Sequence, residues 1–297
     1  MKSGLLIVDK ERGFTSFDVV AKLRGMLKEK KIGHSGTLDP DATGVLLILL
    51  GKATKALPYL KNHDKTYMAT LYLGRTTDTY DVSGNVTGCS DKIVSDEQII
   101  ETILSFKGKQ KQLPPMFSAK KINGKKLYEL AREGKEVERK ETDIEIYDLE
   151  VKNVAFPRVE ICVSCSSGTY IRSLIHDIGQ KLGTGAYMES LRRTMASGYD
   201  ISDSHTLEEI QTACDKGMQE DLVIPLKDLF SYPTFVCKKE ADFLINNGNR
   251  IPLELVEPKD VKTDDLLCLC RSDGIFAGIY RMTDRDLKLE KYFLEES

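Results

Sequence analysis

Asp39 stands between Leu38 and Pro40 in the stretch HSGTLDPDATGVL, His34 to Leu46, just ahead of an aliphatic run. A residue before proline is pushed out of the helical region and held extended. Gly33, Gly36 and Gly44 let the flanking backbone turn sharply and approach a ligand closely. A carboxylate mounted in this way has four uses. It could ligate a metal, yet the four histidines, His34, His63, His176 and His205, show no ligand spacing. It could form a glycosidase pair with Asp41, but two such carboxyls must flank a scissile bond from opposite sides, which neighbours in one tight loop rarely manage. It could cap the next turn, as an Asx-Pro turn does. It could also act alone, as a nucleophile or base at a sugar carbon, in a reaction that needs neither water nor a separate acid. The last two readings stay open on this stretch alone.

The elements that would position Asp39 are mixed α and β without strict alternation. GLLIVDK reads as a strand, and TSFDVVAKLRGMLKEKK as a helix capped by Thr15 or Ser16, with Phe17, Val20, Leu23 and Leu27 on its apolar face. VLLILLG, Val45 to Gly51, reads as a strand buried on both faces, and TYMATLYLG as its β-rich neighbour. RTTDTYDVSGN is turn chemistry, and SDEQIIETILSFKG is a capped helix. From Lys107 to about Lys140 the chain turns basic and reads as an excursion from the main fold, broken by Pro114 and Pro115, with a short helix over Lys125–Glu133. Strand patterns return at TDIEIYDLEVKNV and RVEICVSCSS, and GTYIRSLIHDIGQKLGT is a glycine turn into a helix ending at Gly183. After about Leu229 short strand patterns take over, so Tyr232 to Ser297 reads as a small, mostly β second domain.

Composition bounds the partners and the compartment. At 297 residues and 41% apolar content the chain has room for one large domain and a small one. The run Leu5 to Val8 is too short for a signal-peptide core, and no segment approaches the roughly 18 apolar residues of a membrane span. Seven scattered cysteines, an odd number, fit a reducing compartment, so a cytoplasmic protein is expected. The one C-x-x-C, Cys162 to Cys165, lies in a strand pattern that would send its two thiols to opposite faces. A net charge of −3 argues by itself against a nucleic-acid partner. The average hides a patch, however: Lys107, Lys109, Lys111, Lys120, Lys121, Lys125 and Lys126 occur without an acidic residue among them, with Phe117 and Tyr128 nearby. Lysines interleaved with aromatic platforms suit unpaired RNA.

GHSGTLDPDATGVLLILLGKATK resembles the signature of bacterial TruB-type tRNA pseudouridine synthases, which convert one uridine of the tRNA T-loop, at position 55, to pseudouridine. DKTYMATLYLGRTTDTYDVSGNV, PPMFSAKKINGKKLYELAREG and GTYIRSLIHDIGQKLGTGAYMESLRRTMASGYDI resemble further family segments in family order. The likeness weakens only after Leu229. One departure is Glu11, where the family's KPxGxTS-like motif usually has proline; Lys10, Gly13, Thr15 and Ser16 remain.

The resemblance implies an α+β fold: a mixed, mainly antiparallel-sheet catalytic domain over 1–229, with an RNA-gripping insertion at about 107–140, and a small PUA-like RNA-binding domain over 230–297. It implies an isomerase with tRNA as partner and no cofactor, metal, membrane or obligatory protein partner, acting as a monomer. Asp39 would be the catalytic carboxylate, Arg172 the guanidinium that ionises and orients it, and Tyr67 a ring that stacks on the uracil and could take the C5 proton. Tyr170 and Leu191 match positions lining the base pocket, His34 one that contacts RNA around a flipped base, and Lys10 and Lys55 are further substrate-binding candidates. The principal alternative is an RNA-binding or tRNA-folding module without catalysis; an RNA-guided relative and a free nucleoside hydrolase are weaker ones.

Overall fold

Successive side chains of a strand point to opposite faces, so an unbroken aliphatic run fits only a sheet covered on both sides. The computed structural model describes residues 2–60, 62–118, 120–122, 124–134, 137–257 and 260–294. Among the basic-run residues, the side chains of Lys121, Lys126 and Tyr128 lie outside the described set.

The chain opens with β1 (Gly4–Lys10), α1 (Ser16–Leu27), β2 (Ile32–Ser35), β3 (Thr43–Leu50), β4 (Lys65–Leu73), the hairpin β5 (Arg75–Thr77) and β6 (Val86–Cys89), and α2 (Asp96–Leu104). It continues through β7 (Gly108–Gln112), β8 (Lys121–Ile122), β9 (Lys125–Lys126), α3 (Leu127–Arg132), β10 (Thr142–Ala155), β11 (Arg158–Cys165), α4 (Ile171–Leu182) and β12 (Ala186–Ala196). Then come β13 (Tyr199–Asp200), α5 (Leu207–Asp215) and β14 (Ile224–Pro225). The tail holds β15 (Thr234–Val236), α6 (Asp242–Asn246), β16 (Ile251–Pro252), β17 (Leu266–Cys270), β18 (Phe276–Met282) and β19 (Asp286–Tyr292).

The main sheet runs β14-β1-β3-β12-β4-β11-β10-β7, with β2 added to β3 and β13 to β12. Every pairing in it is antiparallel except that of β3 with β12, which meet in parallel over Thr43–Arg192 and Gly44–Arg193. The α+β, mainly antiparallel architecture is the expected one. The aliphatic run of β3 divides by alternation: Leu46, Ile48 and Leu50 join a core packed with Val20 and Leu23 of α1 and Ile175 and Ile178 of α4. Val45, Leu47 and Leu49 join a second core on the other face, closed by Leu226, Leu229, Ile279 and Phe293. The tail sheet, ordered β15-β17-β18-β19-β16, has its own core as well, around Ile245, Leu267, Tyr280 and Leu287.

Helix starts follow side-chain chemistry. Thr15 with Asp18, Ser95 with Gln98 and Thr206 with Glu209 form reciprocal capping boxes for α1, α2 and α5. Two readings of the sequence need correction. Phe17 is 64% exposed, because Val19, Val20, Leu23 and Leu27 make the buried stripe of α1 and leave Phe17 outside it. The basic stretch is also not wholly an excursion, since Gly108–Gln112 pairs with Thr142–Ile146 as the outer strand of the main sheet. Only the chain after Gln112 leaves it.

The parallel contact is closed by close backbone approach. Gly44 sits at φ 101°, and a Cβ there would stand 2.2 Å from the Arg193 carbonyl oxygen. Gly44→Ala is expected to lower the unfolding free energy by about 3 kcal/mol or more, from left-handed strain plus displacement of β12. Urea unfolding followed by circular dichroism checks this; a wild-type midpoint would show that the junction accepts a side chain.

Candidate active site

The loop from Ser35 to Thr43 carries Asp39 into the mouth of the parallel β3–β12 contact, and its neighbours hold it from both flanks. The Lys10 ammonium donates to Pro40 O at 3.2 Å, Phe14 O at 2.7 Å and Glu11 O at 2.9 Å. Ser16 Oγ accepts from Leu38 N at 2.9 Å, and Gly13 N donates to Pro40 O at 2.9 Å. Ala42 N closes the turn on Asp39 O at 3.1 Å. The backbone oxygen makes the turn, which frees the carboxylate for another partner.

That partner is Arg172, in the first turn of α4. Its Nε lies 3.0 Å from Asp39 Oδ2 and its Nη2 3.1 Å from Oδ1, a two-pronged pairing that fixes the carboxylate plane. The same guanidinium donates to Phe117 O at 2.8 Å and to Thr79 O at 3.3 Å, and stands 3.5 Å from Asp81 Oδ2. Side-chain exposure is 7% for Arg172, 13% for Asp81 and 36% for Asp39, so Asp39 is the member of the trio that faces outward. Burial raises the Asp39 carboxyl above its ordinary value, against the pull of the Arg172 guanidinium and with a push from Asp81.

Tyr67 is buried on β4, directly across from Arg193 of β12. Burial pushes its phenol above the usual tyrosine value, while the Arg193 guanidinium and its hydrogen bond draw it down. Arg193 itself is 1% exposed; its Nε donates to Val45 O at 2.7 Å and its Nη2 to Gly36 O at 3.2 Å. His34, on β2, is held below the ordinary imidazole range by burial and by Arg193, so it is neutral at pH 7. Tyr170 precedes α4, and Gln112 clamps its backbone, accepting from its N at 2.8 Å and donating to its O at 3.0 Å. Ser173 Oγ donates to Leu113 O at 2.9 Å, so the end of β7 and the following loop form one wall of the site.

The structure thus brings Asp39, Arg172 and Tyr67 together, with His34 linked through Arg193 and Leu191 in the core beside them, across from Ala69. Lys10 is placed differently from the sequence reading. It is fully buried, its three donors are all taken by carbonyls, and burial pushes it down to about 8, so it supports the Asp39 loop and has no donor left for a substrate. Lys55 ends the single-turn helix after Leu50, at the far end of an eight-residue strand from Thr43. At ~3.3 Å per residue it lies outside the cluster.

Sequence reading missed Asp81, Gln112 and Arg193. Asp81 sits in a polar turn whose composition reads the same solvated or buried, and Gln112 is hidden among lysines. Arg193 had a signal: it is two residues beyond Leu191 on one strand and therefore shares its face. Among the described residues no cluster of three or more His, Cys, Asp or Glu is arranged to hold a metal ion.

Two family models match the chain. One, TruB family pseudouridylate synthase (N terminal domain), covers residues 24–171; the other, tRNA pseudouridylate synthase B C-terminal domain, covers residues 172–230. The chain is 44% identical over 292 residues to tRNA pseudouridine synthase B of Clostridium kluyveri, spanning 98% of this chain and 99% of that protein. It is 42% identical over 290 residues to the protein of the same name from Clostridium tetani, spanning 97% and 99%. Among solved structures it is similar, with TM-score 0.72 and 26% identity, to a chain of a Cbf5-Nop10-Gar1 complex, covering 98% of this chain and 85% of that one.

The raised Asp39 carboxyl has a consequence for stability. A carboxyl whose folded value exceeds its unfolded value favours the folded state at low pH, and that contribution is lost as pH rises through the folded value. Asp39→Asn is expected to gain stability relative to wild type from about pH 4 upward. Urea midpoints of the two proteins at pH 4 and pH 7.5 test the sign: the difference should move in favour of the variant at the higher pH. Movement the other way would contradict this placement of the carboxyl.

Proposed function

The chain belongs to the TruB family of pseudouridylate synthases and is an isomerase of uridine in tRNA; we propose that its target is the T-loop uridine at position 55, with Asp39 as the catalytic carboxylate. The observation that carries this reading is the two-pronged Asp39–Arg172 pair, in which the carboxylate is aimed by a buried cation and still faces outward.

Pseudouridine formation breaks the N1–C1′ bond, turns the detached uracil and joins its C5 to the same C1′. N1 gains a proton, C5 loses one, and nothing else enters or leaves. One carboxylate acting at the ribose suffices, whether it attacks C1′ or removes a ribose proton. Either task needs an ionised, oriented group, and Arg172 supplies both conditions while burial makes the carboxylate more basic. In this reading Tyr67 stacks on the uracil and its phenol relays the proton, giving its own toward N1 and taking the one that leaves C5, with the neighbouring Arg193 guanidinium offsetting the phenolate between the two. A uridine stacked in the tRNA elbow cannot reach this recess, so the nucleotide flips out to react. Leu191 and Tyr170 line the base pocket, and neutral His34 contacts the RNA around it without proton transfer.

The basic stretch is the RNA grip. Lys109 and Lys111 point outward along β7 while Gly108, Gln110 and Gln112 are less exposed, which sets two ammonium groups beside the site; Lys107, just before the strand, is paired with Asp148. Residues 230–297 form the PUA-like domain that extends the RNA surface. We propose a cytoplasmic enzyme acting as a monomer; all seven cysteines are free, and no described helix is long and apolar enough to cross a membrane.

Release of tritium from a tRNA transcript labelled at uracil C5 tests the chemistry. Wild type should release label from one T-loop site, and Asp39→Asn should be slower by at least about a thousandfold. Arg172→Ala should lose turnover yet keep tRNA affinity. Tight binding with no release by wild type would instead identify a binding module. For the grip, the double substitution Lys109→Ala with Lys111→Ala should lower the slope of log affinity against log salt by about 2; an unchanged slope would remove β7 from the RNA surface.

A further inference from the structure

Tyr80 adopts φ 63°, a left-handed conformation that costs a tyrosine energy and glycine little. The kink lies between the two residues that present acceptors to one nitrogen: Thr79 O accepts from Arg172 Nη1 at 3.3 Å, and Asp81 Oδ2 is 3.5 Å from the same atom. The Tyr80 backbone is tied down, its N donating to Thr77 O at 3.3 Å and its O accepting from Met188 N at 3.0 Å. The Asp81 carboxylate is fixed in turn by Thr79 Oγ1 at 2.7 Å and Ser83 Oγ at 2.6 Å.

The Tyr80 ring stacks on His176, with centroids 3.9 Å apart and planes 14° from parallel. His176 is four residues beyond Arg172 on α4, one turn along the same face. Its Nδ1 is buried without a hydrogen-bond partner among the described residues, and the stack supplies a flat contact on this ring. Burial also keeps the imidazole neutral, which avoids a second cation beside Arg172. The flat contact therefore ties the turn at 79–81 to the helix that carries the guanidinium.

We propose that Tyr80 and His176 form a stacked clamp, and that Tyr80 is a positioning residue that sets the Thr79 and Asp81 acceptors on Arg172 and, through Arg172, the aim of Asp39. This rests on the catalytic reading of Asp39 and Arg172 given above.

Glycine separates the ring from the backbone. Tyr80→Gly removes the stack and relieves the left-handed strain, so the variant folds, while Tyr80→Phe keeps the ring and loses only the hydroxyl. In single-turnover tritium release at saturating enzyme, Tyr80→Gly should be slower by roughly 10–100-fold, with tRNA affinity and melting temperature near wild type. Tyr80→Phe should run close to the wild-type rate. His176→Ala, which removes the other ring, should match Tyr80→Gly.

Wild-type turnover by Tyr80→Gly would overturn the clamp. So would equal losses in Tyr80→Gly and Tyr80→Phe, which would assign the work to the hydroxyl, or a loss of affinity in place of rate, which would make Tyr80 an RNA contact. A wild-type protein that releases no tritium, or an Asp39→Asn variant that releases it fully, would defeat the catalytic reading and the clamp with it.

Discussion

A buried guanidinium must find an acceptor for each of its five N–H groups, or the desolvation of the cation goes uncompensated. Arg172 donates to three acceptors, Asp39 Oδ1 and the carbonyls of Thr79 and Phe117, and has two further anionic oxygens at ion-pair distance, Asp39 Oδ2 and Asp81 Oδ2. They come from three stretches of chain far apart in sequence: the loop before β3, the turn after β5 and the loop after β7. No one of these segments could be misplaced without leaving a donor unpaired in a water-poor pocket. The site's geometry is thus enforced by the same contacts that stabilise its surroundings, and the precision that catalysis requires comes with folding.

The sheet supplies the frame for that convergence. Its two antiparallel halves meet at one parallel contact, Thr43 and Gly44 against Arg192 and Arg193, and strands that meet in parallel leave a mouth where their loops enter. Asp39 lies four residues before this contact, and Tyr67 lies across β12 from it. Arg193 binds the halves together, reaching Gly36 and Val45 on one side while facing Tyr67 on the other. Within the recess the cations Lys10, Arg172 and Arg193 outnumber the carboxylates Asp39 and Asp81, a balance suited to receiving a polyanion.

The legible part of this site was what local rules constrain. Asp39 stood out because proline restricts the backbone and glycines free it, both in ways visible within a dozen residues. The capping boxes and the aliphatic run of β3 were readable for the same reason. Arg172 and Tyr67 were not local: nothing in YIRSL or KTYMA distinguishes them from a surface arginine and a half-buried aromatic, and a family likeness was needed to single them out. Asp81 escaped because its partner lies ninety-one residues further along the chain. Lys10 was misread in kind, since a lysine shared with a binding motif can serve that motif from below by holding its loop. The strand β7 was misread because alternating lysine and glutamine lacks the apolar period that marks a half-buried strand, although its inward glutamine does structural work at Tyr170.

The exposure of the Asp39 trio also explains how a carboxylate can be both costly and useful. Burial alone would protonate Asp39 and make it inert; full exposure would leave it ionised but weakly basic. At 36% exposed, against 13% for Asp81, Asp39 keeps a face to solvent, and a docked nucleotide would cover that face. Covering it removes water from the carboxylate and raises its basicity further at the moment of reaction, while the guanidinium behind it, already buried, keeps the charge in place. A second carboxylate on that guanidinium divides its pull and prevents it from quenching Asp39 altogether. If Asp39 is the catalytic carboxylate, as proposed above, the arrangement would put its more basic state in the complex with RNA and a milder one in the free protein.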